Sequence, residues 1–503
     1  MKNKKINFSK IVILSSVLII SFCARKTEHL PKDKILAQIG DKIITASDFK
    51  RRAEYTIRPQ YCNRDNYIHR KIVLNSLIAE KLLALETGED NELTSTEQFQ
   101  DYLKGRREQS MRQWLFYKDY YDKVVLDTSE IRKKYKLAGR EYNIEYVSLK
   151  DSAIAQEIQN QLNNGSGFDE VFSGLEDIPQ RKVKWESPEH KTVHNALYSE
   201  ELQKGQVIGP LRIEKDYYMI MRIAGWSDFR FITDDDVRTR INDVREKMKM
   251  ETALANYTVF VKDLMKGKRI EFNRETFKKL VNIIGQLYLA SSKDKENEFN
   301  KRFWNKESDE VILDAVGSEI DEIADETLLE IDGEIWTVSR FRKELNIHPL
   351  LFRKKRMKKR EFAEQFKFAI ADLIRDKYIA QEAEKRGYDK TPVVESNVQM
   401  WQDFLLALYG RNNYLESIGK MSNFYEKHLK VIEEDLNPYI VNLQKKYQNE
   451  IEINTELFEK IQLTNIDMVV LQKNVPFPVI VPNFPLVTTH DRLDYGRKMS
   501  FEN

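Results

Sequence analysis

Few side chains in this sequence have the type and spacing that catalysis or metal binding requires. The seven histidines include one pair four residues apart, His190 and His194, a spacing that would place both imidazoles on one face of a helix. The pair lies in a polar, loop-like stretch without a third ligand nearby, and no His-Glu-x-x-His motif or Cys/His cluster occurs. Glycine-rich phosphate loops and a nucleophile elbow are absent as well. We therefore expect neither a metal ion nor a cofactor.

One of the two cysteines, Cys23, stands where an apolar segment ends. Residues 1–22 have the pattern of a secretory signal peptide, because a basic start is followed by an apolar run shorter than the ~20 residues that span a bilayer. The stretch Ile20-Ser21-Phe22-Cys23 resembles a bacterial lipoprotein box with Cys23 as the acylated residue, although Phe22 replaces the usual small residue. A plain cleaved signal or an uncleaved anchor is the alternative. Residues 24–34 would form a polar tether.

The charge balance gives no reason to expect a nucleic-acid partner. The 503 residues carry 82 Lys and Arg against 80 Asp and Glu, so the chain is close to neutral with or without its leader. If Cys23 is lipidated, Cys62 has no disulfide partner, and packing must stabilise the fold. The basic octapeptide at 353–360 is interpreted as a solvated helix face, with anionic lipid headgroups or an acidic partner as the alternative.

The elements that would position any site are duplicated. The stretch from Leu36 to Phe49 returns from Leu328 to Phe341, with Leu, Ile, Thr, Ser and Phe in register. Each copy predicts a hairpin with a Gly-Asp or Asp-Gly turn, followed by a helix that begins at Thr. The segments that begin at Ile270 and Ile451 also match and predict a closing strand and helix. A repeat of such long period indicates a duplicated domain.

An inserted domain is predicted in the first copy. The number of residues between the hairpin and the closing strand is larger in the first copy than in the second, and the difference equals the length of a small domain. The stretch in question has a β-α-α-β-α-β-β pattern. The fold class expected is α+β, predominantly helical. The expected segments are a first module copy at 35–138 plus 227–284, the insertion at 139–226, an acidic connector at 285–326, a second module copy at 327–465, and a proline-rich extended C-terminal arm at 466–503.

An aromatic stripe follows the long helix predicted from Thr96 to Val125. Core packing and a groove for partner chains both use such residues, and the pattern leaves both interpretations open. The candidates for binding a partner chain are Trp114, Phe116, Tyr117 and Tyr120. The C-terminal arm likewise either folds onto the second module or contacts a partner.

The segment from Gly40 to Thr45, followed by the helix containing Leu74-Asn75-Ser76-Leu77-Ile78-Ala79-Glu80-Lys81, resembles the chaperone module of the SurA and PrsA foldases. The insertion resembles parvulin, the peptidyl-prolyl cis-trans isomerase fold, most closely at Gly205-Gln206-Val207-Ile208-Gly209-Pro210, which matches the loop before the last two strands. The resemblance implies a SurA-like chaperone module with an inserted parvulin-like domain, followed by a second copy of the module.

The resemblance also implies the positions of the parvulin cleft. The two histidines of the family fall on Tyr146 and Met219, Asp177 stands at the Cys or Asp position, and Trp185 matches a following aromatic residue. Isomerisation about a prolyl bond has a barrier of ~20 kcal/mol, which a catalyst lowers with polar groups around the twisted amide. Because both histidines are replaced, we expect a degenerate isomerase site in which Asp177 is the remaining catalytic candidate.

These features together predict an extracytoplasmic chaperone that works without ATP and binds unfolded secreted or outer-membrane proteins. The predicted location is the periplasm or cell envelope, with a lipid anchor on Cys23. Two alternatives stay open at this point. One is an active peptidyl-prolyl isomerase, and the other is a structural subunit of an envelope complex that uses the C-terminal arm as a contact.

Overall fold

The computed structural model describes residues 6–7, 34–187, 189–214, 217–229, 233–288, 317–348, 350–354, 357–463, 468 and 479–499. The predicted lipidation site Cys23 and the tether up to residue 33 lie outside this part of the chain. So do residues 289–316 of the connector and the beginning of the C-terminal arm, apart from residue 468.

The described chain is α+β and mostly helical, as predicted. The strands are β1 (Ile6–Asn7), β2 (Ile35–Ile39), β3 (Lys42–Thr45), β4 (Arg140–Leu149), β5 (Gln180–Val183), β6 (Val207–Glu214), β7 (Tyr217–Asp228), β8 (Arg269–Phe272), β9 (Thr327–Ile331), β10 (Glu334–Thr337), β11 (Ile451–Ile453) and β12 (Arg497–Lys498). The helices are α1 (Ala46–Glu54), α2 (Tyr67–Thr87), α3 (Glu97–Phe116), α4 (Thr128–Ala138), α5 (Ser152–Asn163), α6 (Phe168–Val171), α7 (Lys191–Tyr198), α8 (Asp234–Leu264), α9 (Arg274–Tyr288), α10 (Gly317–Asp321), α11 (Val338–Ile347), α12 (Lys359–Lys385), α13 (Pro392–Ser417), α14 (Met421–Val431), α15 (Asn437–Lys446) and α16 (Thr455–Lys460).

Both predicted hairpins are present. Strand β2 pairs with β3 across a turn in which Gly40 has a φ of 58°, and β9 pairs with β10 across a turn in which Asp332 has a φ of 52°. The Thr45 hydroxyl accepts a hydrogen bond from the Asp48 amide, and the Asp48 carboxylate accepts one from the Thr45 amide, so that the two residues form a capping box at the start of α1. Thr337 caps α11 in the equivalent position of the second copy.

The closing strands are exchanged between the two copies, which the sequence did not predict. Strand β8 of the first copy pairs with β9 of the second, with Ile270 opposite Ile331. Strand β11 of the second copy pairs with β2 of the first, with Ile451 opposite Ile39. The 31 residues of α8 make a helix about 46 Å long, which carries the chain from the inserted domain towards the other sheet.

Each of the two large cores also combines elements from both copies. One combines α3, α8 and α9 with β9, β10, α11 and α12, and it contains Trp336 and Phe366. The other combines β2, β3, α1 and α2 with α13, α15, β11 and α16, and it contains Phe49 and Phe458. The structure therefore does not group 35–138 with 227–284 as one closed unit, because each core needs elements from both copies to cover its apolar side chains.

The inserted segment forms its own antiparallel sheet in the order β5-β4-β7-β6. Its elements follow the predicted β-α-α-β-α-β-β order. One face of the sheet, with Tyr142 and Met221, packs on α7, α4 and α8, and the other, with Ile220, packs on Phe168 and Phe172. Because successive strand residues point to opposite faces, the two faces have separate cores.

The described C-terminal arm, residues 479–499, is extended as predicted and packs against this chain. Phe484 and Val487 belong to the core around α2 and α13, and β12 adds to β11 as a parallel edge strand. Asn75 of the first copy donates a hydrogen bond to the His490 carbonyl, and Thr488 donates one to Asn437 of the second. These residues of the arm therefore join both copies.

The basic octapeptide at 353–360 is only partly helical. Arg353 forms ion pairs with Asp372, Lys354 pairs with Glu361, and Lys359 begins α12. Residues 355–356 lie outside the described chain.

Candidate functional site

Two of the predicted cleft residues lie on one face of the inserted sheet. Tyr146 on β4 is opposite Met221 on β7, and Met219 is opposite Ser148, so Tyr146 and Met219 are diagonal neighbours on adjacent strands. Met219 is buried and the Tyr146 ring is half-buried at the edge of the same core. Diagonal pairs on a sheet are within reach of long and aromatic side chains.

Arg181 connects these two residues, and sequence reasoning missed it. Its guanidinium carbon lies 4.8 Å from the centroid of the Tyr146 ring, and Nη2 lies 4.0 Å from the Met219 sulfur. The same Nη2 donates to the Glu189 carboxylate at 2.8 Å. The alternation of side chains along a strand could have identified Arg181, because Arg181 lies on the same face of β5 as the buried Val183.

This arrangement places a guanidinium beside an aromatic ring and a thioether. Arg181 is held by Glu189 and by the Tyr146 ring, and the buried Met219 brings its polarisable sulfur next to the guanidinium. Neither Arg nor Met exchanges a proton near neutral pH. The surface formed by Tyr146, Arg181 and Met219 is called the cleft surface below.

The other two predicted cleft residues are not part of the cleft surface. Asp177 is exposed in the segment between α6 and β5. Trp185 is buried, and its ring packs against His194 and Tyr198 of α7 with centroid distances of 4.8 and 5.2 Å. The ammonium of Lys247 on α8 lies 4.5 Å from the Trp185 ring centroid. Trp185 therefore joins the inserted domain to α8.

The two histidines do not form a metal site. The segment expected to be loop-like is helix α7, where the His190 Nδ1 accepts from the Thr192 amide as the N-cap. His194 is buried, and its Nε2 lies 2.6 Å from the Lys247 Nζ and 3.1 Å from the Trp185 carbonyl oxygen. Burial, together with the charge of Lys247, lowers the pKa of His194 to about 3, and burial lowers the pKa of Lys247 to about 8.

The pKa of His194 predicts an acid-dependent loss of stability. An unfolded histidine has a pKa of about 6.5, so as the pH falls below that value the unfolded chain gains a proton that the folded chain excludes. Stability should therefore fall by up to about 1.4 kcal/mol per pH unit between pH 6.5 and 3 through this one group. His194→Gln should show a shallower slope in urea unfolding between pH 6.5 and 5. The exposed His428→Gln should keep the wild-type slope, and equal slopes for all three proteins would contradict the assignment.

The stretch Gly205-Gln206-Val207-Ile208-Gly209-Pro210, expected as a loop, enters strand β6 at Val207. Gly209 has a φ of 120°, and a Cβ added there would lie 2.6 Å from the Met219 carbonyl oxygen. Glycine is required at this position because β6 and β7 approach each other too closely for a side chain, directly beside the cleft surface.

Gly209→Ala should therefore destabilise the protein by at least about 1 kcal/mol, since both the backbone angle and the contact with β7 are unfavourable. Thermal unfolding followed by circular dichroism measures the change. The matched control is Gly174→Ala, because a Cβ at Gly174 meets no atom within 4 Å and should change stability by less than about 0.5 kcal/mol. Equal stabilities for the two variants would contradict this interpretation.

The aromatic stripe proposed for partner binding is packed within the chain. Phe116 is fully buried, and its ring centroid lies 5.4 Å from that of Tyr257 on α8. Tyr120 packs on the same Tyr257 at 5.3 Å, while Trp114 and Tyr117 lie against the surrounding core. The long helix ends at Phe116 and continues as a π-helical turn over Tyr117–Tyr121. Phe116 and Tyr120 therefore face α8, which covers their apolar surface.

Within the described ranges, no helix combines the length and apolar character needed to cross a membrane. In the same part of the chain, no three His, Cys, Asp or Glu side chains are grouped so that they could hold a metal ion. Comparison of the chain with protein-family models, with curated proteins and with solved structures gives no match.

Proposed function

We propose that this protein is an extracytoplasmic chaperone that binds unfolded secreted or outer-membrane proteins without ATP, and that its inserted domain is a degenerate parvulin-type domain used for binding. The proposal combines the leader sequence, the duplicated module and the strand order of the insertion. It includes a lipid anchor on Cys23, which mass spectrometry of the mature N-terminus tests directly.

The observation that carries the proposal is the cleft surface. Tyr146 and Met219 occupy the positions that the resemblance assigns to the isomerase histidines, and Arg181 lies between them, paired with Glu189. A tyrosine ring, a thioether and a guanidinium favour contact with aromatic and apolar side chains over proton transfer. Reversible binding of unfolded chains lowers their free concentration and so slows aggregation, which requires no energy source.

A light-scattering assay with an aggregating unfolded client tests this function. The full chain should suppress aggregation at a near-stoichiometric ratio, and no suppression would contradict the proposal. Tyr146→Ala should weaken suppression several-fold, because it removes the ring that Arg181 covers. Tyr218→Ala is the matched control, since Tyr218 directly precedes Met219 in β7 and its side chain therefore lies on the opposite face of the sheet. A loss of the same size in both variants would show that the cleft surface is not used.

A protease-coupled assay on a prolyl peptide separates this function from isomerase catalysis. Uncatalysed isomerisation takes about 10–100 s at 25 °C, and we expect the protein to leave that rate unchanged. A faster rate that disappears in Arg181→Ala would instead establish the cleft surface as a catalytic site.

A further inference from the structure

Arg411 on α13 is a buried cation without a carboxylate partner. Its side chain belongs to a residue that is 9% exposed, and in the described part of the chain no Asp or Glu lies within ion-pair distance. Its Nε and Nη2 donate hydrogen bonds at 3.1 and 2.8 Å to a neutral acceptor, the amide oxygen of the adjacent Asn412. Burial lowers the pKa of Arg411 to about 10.

Three other buried cations of this chain form ion pairs with carboxylates. Arg52 is paired with Glu80 through two hydrogen bonds, and both Lys42 and Lys81 are paired with Asp403. Removing a charge from water without a partner is costly, and proteins retain such a cost chiefly where function requires it. The unpaired guanidinium of Arg411 is therefore informative.

The guanidinium also keeps an unused hydrogen-bond donor. Nη1 has no hydrogen-bond partner in the described chain. The ring centroid of Phe424 on α14 lies 4.6 Å from the guanidinium carbon, and Tyr425 is close enough to interact with its charge. The Nη1–Nη2 edge of a guanidinium matches the two oxygens of a carboxylate.

Exposed apolar side chains occur on the same two helices. Tyr425 and Leu429 are exposed on α14, on either side of a break in the helix at Lys427, and Ile418 is exposed directly after α13 ends. Leu415 and Phe424 join the two helices below them in a small separate core. This part of the chain thus combines exposed apolar side chains with the buried positive charge of Arg411.

We propose that Arg411 is the anion-binding centre of a docking site for an acidic side chain carried by an apolar peptide segment. This inference rests on the proposed function, since the unfolded chains bound by a chaperone would supply such segments. An Asp or Glu side chain fits better than a chain terminus, because its flexible stem lets the carboxylate reach a buried guanidinium while the peptide backbone stays at the surface beside the exposed Tyr425.

Fluorescence anisotropy with short labelled peptides tests the site on the full chain. The peptides alternate Leu and Ser, are blocked at both ends, and differ only in a central Glu or Gln. The Glu peptide should bind about tenfold more tightly than the Gln peptide. Arg411→Met should reduce this ratio to near one, Arg411→Lys should give an intermediate ratio, and the exposed Arg360→Gln should keep the wild-type ratio.

Stability distinguishes ligand binding from packing. If Arg411 serves binding, Arg411→Met should keep or raise the melting temperature, since it removes an unpaired buried charge at similar volume. A lowered melting temperature, or equal affinity of wild type for the Glu and Gln peptides, would overturn the proposal. A Gln peptide with a free C-terminal carboxylate serves as a third probe. If this peptide binds more tightly than the blocked Gln peptide while the blocked Glu peptide does not, the site recognises a chain terminus and the proposal is overturned. Client aggregation by light scattering is scored separately, so failure of the Arg411 site and failure of the chaperone function remain distinguishable.

Discussion

Asp403→Asn is expected to lower the free energy of unfolding by about 3–5 kcal/mol, because it leaves two buried ammonium groups without a counter-charge. Asp403 on α13 is 0% exposed. Its two oxygens accept from Lys42 of β3 and Lys81 of α2, each at 2.7 Å, and Gln399 donates to one of them at 2.9 Å. The cluster joins the first copy to the second, so its loss should weaken the whole core around α2 and α13.

The same cluster sets an acid limit on stability. Burial alone would raise the pKa of Asp403, but the charges and hydrogen bonds of Lys81 and Lys42 outweigh it and hold the pKa below its ordinary value. The stabilisation is therefore present above the unfolded pKa of about 3.9 and is lost as the pH falls through the lower folded pKa. The Asp403→Asn variant should lack this part of the acid transition.

Urea unfolding at pH 7 measures the Asp403 effect. The matched control is Asp494→Asn, because Asp494 pairs with Arg492 at the surface and its loss should change stability by less than about 1 kcal/mol. A similar small change for Asp403→Asn would contradict the assignment of Asp403 as the counter-charge of both lysines.

The elements of the fold could be predicted from sequence wherever the signal is local. The hairpins that begin at Ile35 and Thr327 are specified by turn residues and by threonine caps within a few positions. The exchange of β8 and β11 could not be predicted, because Ile270 and Ile451 present the same side-chain pattern to either hairpin. Which hairpin a closing strand meets depends on where the intervening helices direct the chain.

The candidate sites also contain some features that follow from sequence patterns and others that depend on tertiary contacts. Only the resemblance to parvulin assigns Tyr146 and Met219 to one cleft, and the register of β4 and β7 places them on one face of the sheet. Arg181 and Lys247 reach their positions only through tertiary contacts, with Tyr146 and with Trp185. For Arg411, the sequence gives no signal at all, since its significance is that no carboxylate among the described residues pairs with it once the helices pack.

The two copies place an acidic residue at the same position of equivalent helices, but the partners of these residues differ. Thr96 and Thr391 precede the equivalent helices α3 and α13, and Glu108 follows the first at the same distance as Asp403 follows the second. Glu108 pairs with His348 at 2.6 Å, whereas Asp403 pairs with two lysines. An acidic residue therefore links one copy to the other at both positions, with different partners.

Cutting the chain within residues 289–316 is expected to leave the two halves bound to each other. This segment lies outside the described chain, between α9 and α10, and a specific protease site introduced there divides the chain between the two copies. In native buffer the cleaved protein should elute from a sizing column as one species that contains both fragments, at the position of the uncut protein. In denaturant the fragments should separate.

The reason is that neither half can cover its apolar surface alone. After the cut, the first half would lack β11, α13 and the arm, and the second would lack β8 and α3. Separation would break both strand pairings, leave Asp403 without its lysines, and remove the Asn483 carbonyl from Arg52. Two copies that each closed on themselves would instead elute as two separate folded fragments. Unfolding of the cleaved protein should also depend on protein concentration, because the fold then requires association of two chains.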